Sequence, residues 1–152
     1  MQLTQTRFGT IDFESDDILN FDEGLVGFPQ LSQFLLLNHN ENSPFRWLQS
    51  IDEPGLAFLV ADPWHFVEAY EVEIPEDTVN RLDLTFETPH SLWTTVRIPD
   101  GNTQEMTINL AAPIVLNLRN RQGKQVVLEG EAYNIRHRVF QVVESEREKQ
   151  VA

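Results

Sequence analysis

Cysteine is absent from this chain of 152 residues, which excludes disulfides, thiolate metal ligation and a cysteine nucleophile. No apolar run approaches the ~20 residues that a membrane-spanning helix needs. The opening MQLTQTRFG has no basic stretch followed by an apolar one, so no secretory signal is read there. These absences point to a soluble, cytoplasmic protein with no membrane contact. Positive charge is also scarce: 11 Lys and Arg stand against 24 Asp and Glu, for a net charge of −13. The deficit is uneven. Residues 1–96 hold Arg7, Arg46 and Arg81 against seventeen acids, a balance of −14, whereas residues 97–152 hold eight basic and seven acidic residues, a balance of +1. A surface of that sign repels phosphate backbones, which argues against direct nucleic-acid binding. A basic protein partner is the complementary expectation, and solubility alone is the plainer one.

Catalytic signatures are missing as well. The chain has no G-x-S-x-G elbow, no G-K-[ST] phosphate loop, no G-x-G-x-x-G and no calcium-loop spacing. His39, His65, His90 and His137 lie too far apart in sequence for a helical zinc pair. The adjacent acids Asp16-Asp17, Asp22-Glu23, Asp52-Glu53 and Glu76-Asp77 read as solvated loop carboxylates, because acid-base work would require an apolar pocket to split their pKa values. Neither an enzyme, a metal nor a cofactor is expected.

What is present is strand signal. Gln2 to Phe8, Thr10 to Phe13, Phe34 to His39, Phe45 to Ser50, Leu56 to Ala61, Val67 to Ile74 and Leu92 to Ile98 are short runs rich in β-branched and aromatic residues, separated by Pro, Gly, Asn and Asp. Phe45 to Gln49 and Tyr70 to Ile74 alternate large and polar residues, as half-buried strands do. Pro113 interrupts the apolar run Leu110 to Leu116 and belongs at an edge, a bulge or a strand end, since it has no backbone donor. Beyond it, Gly123 closes a polar turn and Gln125 to Leu128 is expected as the second strand of a hairpin. Helical signals are confined to one turn at Pro29 to Phe34 and a short helix over Pro75 to Leu82. The expected fold is all-β: a single antiparallel domain over residues 1–140, a sandwich or a barrel, with one or two short helices. Residues 141–152 read as a polar tail, frayed or disordered.

Four blocks in one order carry a family resemblance: Phe21, Gly24, Gly27 and Phe28 in FDEGLVGF; Phe45, Leu48, Gln49 and Ser50 in SPFRWLQS; Pro54, Phe58, Val60, Asp62 and Pro63 in EPGLAFLVADP; and TINLAAPIVLNLRNRQGKQVVL from Thr107 to Leu128. The set resembles the FliW family of flagellar assembly factors. That resemblance implies a barrel-like β fold. It also implies two partners, the small RNA-binding repressor CsrA and flagellin, with flagellin translation coupled to filament assembly. The alternative is a flagellin-specific chaperone that leaves CsrA alone.

Partner contacts are expected at three places. Tyr70, Glu71 and Glu73 form an acidic strand suited to a basic partner. Asp62, Pro63 and Trp64 lie in the loop ADPWHF, where an aromatic is available as a contact. Gln49, Asn109 and Asn117 match the motif blocks beside apolar runs; as buried amides they would tie strand ends together, and on an edge they would meet a partner.

Overall fold

The computed structural model describes residues 1–38, 40–130 and 132–140. The polar tail expected over 141–152 and the strand end expected at His39 lie outside them. Strands β1 (Gln2–Thr6) and β2 (Gly9–Asp12) make a hairpin of their own. The main sheet is antiparallel and contains β3 (Leu19–Asn20), β4 (Gln33–Asn38), β5 (Phe45–Ser50), β6 (Ala57–Ala61), β7 (His90–Arg97), β9 (Ile114–Asn117) and β10 (Gly123–Gln125), in the order β10-β9-β7-β6-β5-β4-β3. Strand β7 forks: His90–Trp93 pairs with β9, and Val96 and Arg97 pair with β8 (Thr107–Ile108), which also receives β11 (His137–Arg138). Helix α1 (Glu76–Arg81) is short, begins after Pro75 and carries Glu76 and Asp77 in its first turn, where acids face the positive end of the helix dipole.

Alternation within the strands explains why the apolar runs are continuous. In β9, Ile114 and Leu116 join a core with Leu19, Phe21, Phe34, Leu48 and Val60, while Val115 joins a second core with Ala61, Tyr70, Leu82, Leu92 and Ile108. Side chains two apart share a face, so β9 is buried on both faces and must be apolar throughout. Residues 21–31 cover one face of the sheet, and the long excursion between β6 and β7 covers the other. Two glycines make the first cover possible. Gly24 sits at φ +66°, where a Cβ would lie 2.3 Å from the Phe28 carbonyl oxygen. At Gly123 a Cβ would lie 2.6 Å from Cζ of Phe21, so the missing side chain lets that ring rest on β10.

The expected barrel does not form. No sheet closes or curls strongly. The terminal strands β3 and β10 have two and three residues, and they meet in one parallel bridge, Asn20 to Gln122. That is too little to build the closing ladder a barrel requires, and the sheet buries two separate cores rather than one interior. Three local expectations also change. Pro29 and Gln30 form a turn leading into β4 without a helix. Tyr70 to Ile74 keeps its alternation of burial but joins no strand, the Glu71 N–H going instead to a side-chain oxygen. Gly123 lies within β10, and the polar turn precedes it. The Val126 and Leu128 N–H groups still donate to the Pro113 and Ala111 carbonyls at 2.8 Å. Pro113 has no N–H to return, so the ladder is half-made beyond Gln125.

Candidate partner-binding cleft

The excursion from Asp62 to Leu84 is held down by an aromatic stack. Asp62 Oδ1 accepts the Trp64 N–H at 3.0 Å and caps the short turn Pro63–His65. Trp64 is 43% exposed, and its Nε1 donates to the Tyr70 carbonyl at 2.8 Å. Tyr70 is buried; its hydroxyl donates to the Leu110 carbonyl at 2.6 Å, and its ring meets Tyr133 edge-on at 4.7 Å. Burial pushes the Tyr70 phenol well above its ordinary range, and the neighbouring Tyr133 adds to the effect. The Tyr133 hydroxyl in turn accepts the Glu71 N–H at 2.9 Å. Tyr70 is therefore a tether, and what it positions is the segment carrying Glu71 and Glu73.

Between that segment and the extension of β10 lies a cleft of about 620 Å³. Glu71, Glu73, Ile74 and the start of α1 form one wall, Lys124 and Val126 to Glu129 the other, with Tyr133 at one end. Five carboxylates line it (Glu71, Glu73, Glu76, Asp77 and Glu129) against one ammonium, Lys124. Lys124 is itself drawn to Glu23 at 3.4 Å, which also pairs with Arg81. The cleft is thus strongly negative over a floor containing Ile74, Val126 and Leu128. Across Val127 it adjoins an apolar groove of about 690 Å³, where Val26, Val127 and Ile135 are each at least 60% exposed and Asn109 lies at the margin.

Of the residues singled out from sequence, Glu71 and Glu73 line the acidic cleft, Tyr70 anchors it, and Asn109 reaches the apolar groove while its Oδ1 accepts the Ala111 N–H. Asp62, Pro63 and Trp64 sit beside the anchor but outside both linings. Gln49 and Asn117 are buried among backbone groups. Gln49 Nε2 donates to the Ser50, Pro54 and Leu56 carbonyls, closing the loop before β6. Asn117 Nδ2 donates to the Leu82 carbonyl at 2.7 Å, and its Oδ1 accepts the Arg119 and Asn120 N–H groups. Sequence reasoning missed Glu76, Asp77, Val127, Glu129 and Tyr133 as lining of one cleft. In the sequence Glu76 and Asp77 read as solvated acids where a short helix starts, and nothing in the local pattern brings residue 129 to residue 73. Among the described residues no His, Asp and Glu group is placed to hold a metal ion, and no helix is long and apolar enough to cross a membrane.

The model of the FliW protein family matches residues 2–139, which include every cleft residue. The chain belongs to the FliW family. It is 42% identical over 127 residues to the flagellar assembly factor FliW of Magnetococcus marinus, covering 84% of this chain and 78% of that one. It is 33% identical over 150 residues to the FliW of Alkaliphilus metalliredigens, covering 98% and 92%. A crystal structure of a flagellar assembly factor FliW superposes with a TM-score of 0.85 at 33% identity, covering 93% of this chain and 99% of that one. FliW proteins are flagellar assembly factors, so the cleft belongs to a protein of that role.

Proposed function

We propose that this FliW protein acts in the cytoplasm by binding two proteins in turn, CsrA and flagellin, and so couples flagellin translation to filament assembly. Free protein would hold CsrA away from its message and permit translation; accumulating flagellin would reclaim it and restore repression. The observation that supports this reading is the carboxylate-lined cleft over an apolar floor. An RNA-binding repressor carries a basic surface for its phosphates, and a negative cleft complements it. The adjoining apolar groove suits an apolar flagellin segment, which also keeps a second reading in view, a flagellin chaperone without regulator binding. A body of this charge docked on CsrA raises the electrostatic cost of nearby phosphate, so RNA can be excluded without its site being covered.

Calorimetric titration with CsrA, free and preloaded with its flagellin-leader RNA, tests the proposal. Saturable binding with RNA release is expected. Absence of binding at every salt concentration would overturn it in favour of the chaperone.

A further inference from the structure

The extension of β10 has one edge paired and one edge open. The N–H groups of Val126 and Leu128 point inward to the Pro113 and Ala111 carbonyls, in register with the pairs Lys124 to Val115 and Gly123 to Leu116. In an extended segment successive N–H groups point to opposite edges, so those of Val127 and Glu129 point outward. Neither donates to any described residue, and the carbonyls of both accept from none. On the facing wall the same is true of the Val72, Glu73 and Ile74 N–H groups. The cleft is lined by consecutive residues on both sides, Glu73 to Thr78, the last three of which begin α1, and Val126 to Glu129. At Gln122, just before β10 begins, the edge is closed by the bridge to Asn20.

An unpaired strand edge is a template for another strand, and natural proteins protect such an edge or use it. Here the surrounding charge is of one sign, with Glu71, Glu73 and Glu129 exposed on the walls. We infer that the cleft takes an extended, basic segment of a partner polypeptide, which adds as a strand to the Val127–Glu129 edge while its Lys or Arg side chains meet the flanking carboxylates. Backbone pairing supplies alignment and the carboxylates supply selection for cationic side chains. The inference rests on the regulator-binding reading only for the identity of the natural partner, not for the mode of docking.

The test uses the whole protein and a short capped peptide of alternating lysine and valine. A second peptide of equal charge is N-methylated at alternate positions, prepared in both phases. Binding is followed by anisotropy, and amide hydrogen exchange is followed residue by residue. The unmodified peptide should bind and slow exchange at Val127 and Glu129 by roughly tenfold or more. N-methylation in one phase should weaken binding roughly tenfold, the equivalent of one lost hydrogen bond. The substitution Val127→Pro, which removes an outward donor and leaves the inward ones in place, should do the same. Equal binding of all peptides would show simple charge attraction and overturn the inference, as would failure of the unmodified peptide to bind while CsrA does. Peptide binding together with failure of the CsrA titration would uphold the edge and reject the proposed partner.

Discussion

Replacing Asn117 by alanine is expected to weaken the fold and leave partner binding intact. The side chain is 2% exposed and ties three places together: the Leu82 carbonyl at the end of α1, at 2.7 Å, and the Arg119 and Asn120 N–H groups of the following turn, at 2.8 and 3.1 Å. Each net hydrogen bond contributes about 1 kcal/mol. All three losses are cushioned, because the Leu82 carbonyl keeps the Asn120 Nδ2 at 3.2 Å and both turn residues are exposed to water. The cost is therefore about 2–3 kcal/mol, which lowers Tm by about 4–12 °C for a chain of this size. Asn117→Asp is the sharper test. Its oxygens still accept the two turn N–H groups, but one replaces a donor and faces the Leu82 carbonyl, so the cost should exceed about 3 kcal/mol at neutral pH. Burial raises such a carboxyl above its unfolded value of about 3.9. The penalty relative to the parent should then be present above that pH and shrink as the pH falls through the raised value. Urea and thermal unfolding measure both variants, and calorimetry at a temperature where each is folded measures CsrA binding. Unchanged unfolding with lost binding would refute the structural role.

Other outcomes follow from the same contacts. Tyr70→Phe should cost about 1–3 kcal/mol at neutral pH because the buried Leu110 carbonyl loses its donor. Since burial raises the Tyr70 phenol, the parent should lose stability as pH climbs above about 10, where the unfolded phenol ionises first, and the variant should lose less over that range in pH-dependent urea titrations. Gly123→Ala should cost about 1–3 kcal/mol by forcing Phe21 and Leu116 aside, read as a fall in urea midpoint at constant slope. The combined change Glu71→Gln, Glu73→Gln and Glu129→Gln should leave the fold intact and weaken CsrA binding by about 1–3 kcal/mol, roughly 5- to 150-fold, with a shallower salt dependence in calorimetry.

Much of the fold was legible because its signals are local. The strand at Phe45–Ser50 and the short helix after Pro75 each follow from residues within a few positions of one another. Closure was not legible. Whether β3 and β10 meet along a ladder depends on strand lengths of two and three residues, which local residue patterns do not fix. The strand expected at Val67 to Ile74 failed for a related reason: alternation reports which side chains are buried, not whether a neighbouring backbone is present to pair with. At the site, the charge argument found Glu71 and Glu73. It could not find Glu129, which reaches the same cleft only through the register of β10 on β9. Gln49 and Asn117 turned out to be backbone clamps, and sequence could not tell a clamp from an edge because both place an amide beside an apolar run.

The most direct test of the cleft as the regulator's docking surface is an amide NMR titration of the isotopically labelled protein with unlabelled CsrA. Perturbation is expected to concentrate at residues 71–78 and 124–129, with little change at the loop closed by Gln49. Saturable binding whose perturbations leave those two walls untouched and fall elsewhere would contradict it.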